Sequence, residues 1–125
     1  MSQPKRIYAL PNWNWSSKAQ EEIERTGQNL VRQTDFVWNV ADVAVIGFIY
    51  KHLLDAPWMW FVLREGIRLG DLLDFRRLQS KIPHGTLTAV EEDWSIGERF
   101  ASFYGFTPTH ELHEHDGKTY RIWRH

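Results

Sequence analysis

The stretch Trp58-Met-Trp-Phe-Val-Leu63, followed by Arg64-Glu-Gly-Ile-Arg-Leu-Gly-Asp71, decides how this chain folds. Its first six residues are all apolar and do not alternate with polar ones, which is typical of a strand covered on both faces. Two runs rich in β-branched and aromatic residues precede it, Phe36–Val40 and Val43–Tyr50, and only Ala41-Asp42 separates them. Because so short a link favours a tight turn, the three runs predict consecutive antiparallel strands.

The rest of the chain predicts helices and further strands around this meander. Two capping boxes, Ser17–Gln20 and Ser95–Glu98, each open a stretch with apolar residues at helical spacing. Another helix, marked by leucines from Leu69 onward, ends at Pro83. The remaining strands are predicted at residues 6–10, 85–90, 107–115 and 119–124. The order β-α-β-β-β-α-β-α-β-β predicts an α+β (mixed α/β) fold with a mostly antiparallel central sheet flanked by helices.

The last two strands are expected to form a hairpin around Asp116-Gly117, a strong turn signal. A three-residue loop would place Leu112 opposite Ile122, whereas a two-residue loop would place it opposite Arg121. We expect the three-residue loop, with Leu112 facing the core.

Composition excludes several classes of protein. The 125 residues, 42% hydrophobic and 25% charged, predict a single globular domain over residues 1–125. The absence of cysteine excludes disulfides, thiolate zinc sites and cysteine nucleophiles. A formal net charge of −1 argues against nucleic acid as a partner. The longest apolar run, Val43–Tyr50, is too short to span a membrane.

From residue 34 to residue 125, the chain resembles the GNAT family of N-acetyltransferases. Four features carry the resemblance: Trp60–Leu63 leading into a helix, the strand Thr86–Val90, a helix that ends in Phe103-Tyr-Gly-Phe106, and a closing hairpin that ends in Tyr120–Trp123. The resemblance implies a GNAT-like fold and, in an active member, acetyl-CoA as the acyl donor. Residues 1–33 match only in outline, with one helix where the family often has two.

A narrower resemblance points to a different role. Trp60–Val62, Phe75–Leu78 and the ending from Phe106 to Trp123 are similar to the small internal virion protein of short-tailed phages, whose own fold resembles GNAT domains. This resemblance implies a virion protein that keeps the fold without the chemistry.

Two sites normally important for GNAT chemistry depart from the family pattern. In the phosphate-binding loop counted from Arg64, Ile67 and Leu69 occupy the two positions that usually hold small residues. Gly66 and Gly70 lie at other offsets. At the usual position of the tyrosine that protonates the leaving thiolate, four residues before Gly105, the chain has Ala101, and Tyr104 lies three residues further on.

These departures predict a protein without acyl-CoA chemistry, and the narrower resemblance implies that it is a non-enzymatic phage virion or virion-assembly accessory protein that acts by protein–protein interaction. Such a protein would need no cofactor and no catalytic residue, and it would reside in the virion or the host cytoplasm. Its partners would be other virion or host proteins, and a homo-oligomer is possible.

Two alternatives remain open. An active acetyltransferase, transferring an acetyl group from acetyl-CoA to an amine, would use backbone groups of Val62 and Leu63 for the pantetheine arm. Its phosphates would lie against Gly66, Arg68 and Gly70, near the start of the following helix. A host-targeting binding module would instead use Trp13 and Trp15, because tryptophan is enriched at interface hot spots. Those two rings could equally close one end of the core.

Other polar patterns have simpler explanations. His110, His113 and His115 invite a metal interpretation, but alternation along a strand separates His110 from the other two, so we expect a solvated strand face and no metal. Asp35 and Asp42 are candidate general bases near the middle strands, and so is His52. All three lie at strand ends or turns, where aspartate is expected for backbone reasons.

Overall fold

The described part of the chain forms a seven-stranded sheet with a helix on each face. A computed structural model describes residues 5–26, 31, 34–40, 42–50, 56–67 and 81–125. Within that part, the strands are β1 (Lys5–Arg6), β2 (Phe36–Val40), β3 (Ala44–Ile49), β4 (Trp58–Leu63), β5 (Leu87–Glu91), β6 (Thr107–His115) and β7 (Lys118–Arg124). The helices are α1 (Ser17–Thr26) and α2 (Ser95–Phe103). The predicted helix after Leu69 lies largely outside the described residues, and so does His52.

The sheet order is β1-β2-β3-β4-β5-β7-β6. All neighbouring strands are antiparallel except β4 and β5, which are parallel. The predicted meander of three strands is confirmed. It forms because Asp42 adopts a left-handed conformation (φ 58°) and its backbone N–H donates to the side-chain oxygen of Asn39, so that the turn between β2 and β3 closes within a few residues.

Each face of the sheet has its own apolar cluster. Alternate residues of β3 point to opposite sides, so Ala44 and Ile46 join the cluster beneath α2, whereas Val45 joins the one beneath α1. Ala19 anchors α1 to that second cluster. The continuous apolar character of β3 and β4 therefore reflects burial on both faces, as predicted.

Helix capping differs in detail from the prediction. Ser16, not Ser17, caps α1, because its Oγ accepts the Ala19 N–H at 3.2 Å. Trp94 occupies the N-cap of α2 without a side-chain cap bond. The end of α2 does follow the prediction: Gly105 has φ 87°, and Phe106 N–H donates to Ala101 O at 3.0 Å, which completes a Schellman motif.

The expected three-residue hairpin loop is wrong. His115 pairs with Lys118 and Leu112 pairs with Arg121, so the loop holds only Asp116 and Gly117. Both loop residues have positive φ, 52° and 76°, as a type I′ turn requires. The register also shifts between Pro108 and Leu112, the signature of a bulge, and Leu112 is 51% exposed instead of facing the core.

None of the helices in the described part of the chain is long and apolar enough to cross a membrane.

Candidate active site

Strands β4 and β5 form a fork. Their pairing consists of a single parallel register pair, Trp58 with Leu87, supported by Leu87 N–H donating to Pro57 O at 2.9 Å. Toward the carboxyl ends of the two strands, the described residues show no further pair between them. Backbone groups on the facing edges of β4 and β5 are therefore left without the ladder bonds that adjacent strands normally share.

The orientation of β4 determines which groups face this gap. Arg64 N–H donates to Val43 O at 2.8 Å, so the backbone groups of Arg64 point toward β3. Because backbone groups alternate in direction along a strand, those of Val62, which pairs with Val45, also point toward β3. The backbone groups of Phe61 and the N–H of Leu63 consequently point toward β5 and into the gap, whereas Leu63 O, on the same side, accepts the Ser16 N–H.

The chain's own N-terminal segment closes the wide end of the fork. Ser16 N–H donates to Leu63 O at 3.0 Å, and Glu65 N–H donates to Asn14 O at 2.8 Å. Trp15 thereby forms an antiparallel bridge with Arg64. The opening is bounded by the Trp58–Leu87 pair at one end and by this crossing segment at the other.

The residues proposed from the sequence for cofactor binding fall in different places. Leu63 presents its backbone N–H to the gap, whereas the backbone groups of Val62 are directed to β3. Gly66 lies in the turn after β4 with φ 76°, and a side chain there would have open space around it. Arg68 and Gly70 lie outside the described residues.

On the α1 side of the sheet, a cavity of about 550 Å3 adjoins the fork. Its apolar lining comes from the α1 face of β4, β5 and β7, namely Trp58, Trp60, Val62, Ala89 and Ile122, and it also includes Met59, Phe61 and Trp94, which pack on the other face. Its charged lining comes from α1, the end of β5 and the β6–β7 hairpin, namely Lys18, Glu21, Glu22, Glu91, Asp116 and Lys118. The four carboxylates and two lysines give this lining a formal charge of −2.

Two ion pairs tie α1 across the cavity. Lys18 Nζ lies 2.5 Å from Glu91 Oε2 at the end of β5. Lys118 at the start of β7 binds Glu21 through Nζ and Oε2. The hydrogen bond from Lys118 lowers the pKa of the Glu21 carboxyl below its usual 4.5, and the hydrogen bond to Glu21 raises the pKa of Lys118 above 10.5.

Removing the Lys118–Glu21 ion pair should lower the free energy of unfolding only at pH values at which both groups are charged. A carboxyl with a lowered folded pKa stabilises the protein above its unfolded pKa, and that contribution disappears as the pH falls through the folded value. We expect Lys118→Met to lower the free energy of unfolding slightly at neutral pH, because the pair is exposed. The difference from the parent chain should vanish well below pH 4.5.

Urea unfolding at neutral and at strongly acidic pH measures this effect. The control is Lys5→Met, which removes a positive charge from β1 instead. If Lys118→Met lost the same stability at both pH values, the loss could not be attributed to the ion pair with Glu21.

His113 and His115 line the same cavity and remain largely exposed. His113 Nε2 lies 3.1 Å from Glu111 Oε1, and His115 Nε2 lies 3.3 Å from Asp116 Oδ2. Among the described residues, no three potential metal-ligating side chains come together, here or elsewhere.

The two positions considered for proton transfer, one on α2 and one directly after it, are both buried. Ala101 and Tyr104 are each 0% exposed and belong to the apolar cluster beneath α2, where the Tyr104 ring lies 4.7 Å from that of Phe100. Burial raises the pKa of the Tyr104 phenol well above its usual value. This side chain is therefore a neutral part of the core.

The aspartates considered as bases bond to nearby parts of the β2–β3 hairpin, Asp35 at its open end and Asp42 in its turn. Asp35 Oδ2 accepts the Tyr50 N–H at 2.7 Å, and Asp42 Oδ1 accepts Asn39 Nδ2–H at 2.9 Å. Neither lines the cavity.

Trp13 and Trp15 pack against the cluster beneath α1. Their ring centroids are 5.2 Å apart, and both side chains contact a group that includes Ala19 and Val62. The Arg64 guanidinium lies 5.3 Å from the Trp13 ring centroid. This packing gives both rings a structural role at the wide end of the fork.

Sequence reasoning missed the cavity's charged lining. Lys18, Glu91 and Lys118 are far apart in the chain and form no local motif. The sequence pattern that could have found part of this lining is the alternation of side chains along a strand, which places Lys118, Tyr120 and Ile122 on one face of β7. With a two-residue hairpin loop, His113 and His115 of β6 lie on that same face.

Solved acetyltransferases share this architecture. A candidate phosphinothricin N-acetyltransferase matches with a TM-score of 0.58 and 11% identity, over 97% of this chain and 96% of that one. An acetyltransferase of the GNAT family from Bacillus cereus ATCC 10987 matches with a TM-score of 0.57 and 11% identity, over 98% and 96%. No family model and no curated protein matches the chain by sequence. The predicted GNAT-like α+β fold is thereby confirmed.

The expected role as a non-enzymatic virion component is wrong. The neighbours that share the fold over nearly the whole chain are acetyltransferases, and neither is a virion protein. The expectation gave weight to the bulky Ile67 and Leu69 in the loop after β4 and to Ala101 on α2. At the fork, however, the groups turned toward the gap are backbone groups of Phe61 and Leu63, which do not depend on side-chain identity.

Proposed function

We propose that this chain is an acyltransferase that moves an acetyl group from acetyl-CoA to an amine. The observation that carries the proposal is the fork between β4 and β5, which adjoins a cavity lined by carboxylates. The shared fold of acetyltransferases supports it. Acetyl-CoA, when bound, supplies an acetyl thioester that an amine can attack.

The residues at the fork suit the extended arm of such a cofactor. Backbone N–H groups of Phe61 and Leu63 would hold its amide groups, as a neighbouring strand would. Gly66 begins the loop toward the phosphates, and Arg68 and Gly70 are proposed to complete that end. The fork thus holds the donor by main-chain groups.

The cavity suits an amine acceptor. A lining with a formal charge of −2 attracts a cation, and the floor of Trp58 and Trp60 accommodates its apolar part. An ammonium ion must lose a proton before its nitrogen can attack a carbonyl carbon. Glu91 is proposed to accept that proton, because it ends β5 at the open side of the fork and its side chain is only 18% exposed.

Acetyl-CoA binding and turnover test the proposal directly. Calorimetry should show saturable binding with a Kd in the micromolar range, about −8 kcal/mol. Release of free CoA can be followed with a thiol reagent against a panel of amines, because the chain contains no cysteine that would react. Turnover should depend on the amine as well as on acetyl-CoA.

A variant that fills the cavity tests whether the amine binds there while acetyl-CoA binds in the fork. Ala89 lies on the cavity face of β5, so Ala89→Trp should block amine turnover while acetyl-CoA still binds. Ser102→Trp, on the exposed side of α2, places the same side chain away from the cavity and serves as the control. Absence of both acetyl-CoA binding and thiol release in the parent chain would refute the proposed function.

A further inference from the structure

We propose that this chain acetylates its own Lys18, which makes Lys18 a modification site as well as the ion-pair partner of Glu91. Lys18 Nζ lies 2.5 Å from Glu91 Oε2, and both side chains line the cavity beside the fork. An amine that gives a proton to a base must lie within hydrogen-bond distance of that base. Lys18 meets this requirement for Glu91, the proposed base, so the inference rests on the proposed function.

The Lys18 side chain crosses the open end of the fork. Ser16, two residues before Lys18, donates its backbone N–H to Leu63 O at 3.0 Å, which fixes the start of α1 against the carboxyl end of β4. Glu91 is the last residue of β5. The side chain therefore runs from an anchor on β4 to a partner on β5, beside the gap that is proposed to hold the thioester arm.

The second lysine of the cavity provides an internal comparison. Lys118 also lines the cavity and also pairs with a glutamate, Glu21 of α1. The side chains of Lys18 and Lys118 are each 34% exposed. The two lysines differ in the carboxylate that they contact, because only Lys18 binds the end of β5. Selective acetylation of Lys18 would therefore reflect its place at the fork and not its exposure.

The transfer balances within the chain. Glu91 accepts a proton from the Lys18 ammonium, and the neutral Nζ attacks the carbonyl carbon of the thioester. An amide C–N bond forms as the C–S bond breaks. The proton that Nζ loses as the amide forms neutralises the thiolate of the leaving CoA, and the proton on Glu91 passes to solvent.

Acetylation would also change the charge of the cavity. An acetylated Lys18 is neutral, which leaves four carboxylates and one lysine in the lining, a formal charge of −3. Glu91 then has no internal cation in contact and can face the ammonium group of an external amine. The modification would therefore favour a cationic acceptor.

Mass spectrometry after incubation with acetyl-CoA, without an added amine, tests the proposal. The 14.9 kDa chain should gain a single acetyl group, and peptide mapping should locate it on Lys18. Thiol release should stop at one equivalent per chain. Because the transfer occurs within one molecule, its rate constant should stay the same when the protein is diluted by about two orders of magnitude.

Two matched variants separate the base from general lysine reactivity. Glu91→Gln should slow acetylation of Lys18 by about 10²-fold or more, because it removes the base. The control is Glu21→Gln, which removes the partner of Lys118 and with it the hydrogen bond that raises the pKa of Lys118. Glu21→Gln should acetylate Lys18 at the parent rate and leave Lys118 unmodified. Circular dichroism confirms that both variants are folded.

Lys18→Arg removes the acceptor and keeps the positive charge. A guanidinium group stays protonated, so it cannot attack the thioester. This variant should show neither the added mass nor the single equivalent of thiol release.

CoA without an acetyl group gives a readout that does not depend on transfer. When it occupies the fork, CoA should slow the labelling of Lys18 by sulfosuccinimidyl acetate severalfold. Lys5, which is exposed on β1, should be labelled at the same rate with and without CoA.

The outcomes distinguish this inference from the proposed function. If acetyl-CoA binds and external amines are acetylated while Lys18 stays unmodified, the inference is wrong and the proposed function stands. Equal acetylation of Lys18 and Lys118 in Glu21→Gln, a rate constant that rises with protein concentration, or no protection of Lys18 by CoA would also overturn it. If acetyl-CoA does not bind, both are wrong.

Discussion

Glu91→Gln should lower kcat/KM for amine acetylation by about 10²- to 10⁴-fold, the usual contribution of a positioned acid or base. The substitution keeps the size of the side chain and removes its ability to accept a proton. The affinity for acetyl-CoA should not change, because the donor is proposed to bind through backbone groups of β4. This prediction rests on the proposed function.

The position of Glu91 is what makes a large effect reasonable. The residue closes β5, where β5 has diverged from β4, and its side chain lines the cavity. Lys18 holds the carboxylate at 2.5 Å, so it has a defined orientation before substrate arrives. A base that is already positioned needs little reorganisation to take a proton from the acceptor.

Lys18→Gln distinguishes loss of the base from loss of the ion pair, since it removes the partner and leaves the carboxylate. If Glu91 is the base, Lys18→Gln should retain much more activity than Glu91→Gln. If the kcat/KM of Glu91→Gln stayed within threefold of the parent value, another group would have to be the base.

The parts of the fold that sequence predicts best are those determined by local patterns. Trp58–Leu63 is predicted as a strand and is one, because six consecutive apolar residues bury both faces. Gly105 ends α2 as predicted, because few other residues adopt its left-handed conformation without strain. Such signals lie within a few residues of the feature they specify.

The register of the last hairpin could not be predicted in the same way. Asp116-Gly117 marks the turn but permits loops of two or three residues, and the choice depends on bonds made elsewhere. Thr109 Oγ1 donates to Ile122 O at 2.7 Å, and Arg121 Nη1 donates to Thr109 O at 2.7 Å. These contacts lie at the register shift in β6, which no motif marks.

The candidate site is harder still to predict, because it consists of residues that meet only in the folded chain. The fork depends on the point at which β4 and β5 stop pairing. No local pattern marks that point, because β5 begins 24 residues after β4 ends. A motif search compares side chains at fixed offsets, so it detects a lost phosphate loop but not a gap lined by backbone groups. That difference explains why the sequence argument favoured a protein without chemistry.

Gly47→Ala should destabilise the protein by about 1–3 kcal/mol, although it adds a single methyl group. Gly47 on β3 pairs directly with Trp60 on β4, and a Cβ at Gly47 would overlap the indole ring. The ring has little freedom to move, because its Nε1–H donates to Thr34 Oγ1 at 2.8 Å. Displacing it would also alter the cavity floor.

A double-mutant cycle tests whether the clash with Trp60 causes this loss. In a Trp60→Val background the indole is absent, and Gly47→Ala should become neutral or stabilising, because glycine within a strand is disfavoured by about 0.5–1 kcal/mol relative to alanine. Urea unfolding of the four proteins gives the coupling free energy. If Gly47→Ala costs the same with and without the indole, the strain lies in the β3 backbone and the packing of Trp60 on Gly47 is not its cause. A change of sign would show that β3 carries glycine at this position in order to seat the ring that floors the cavity.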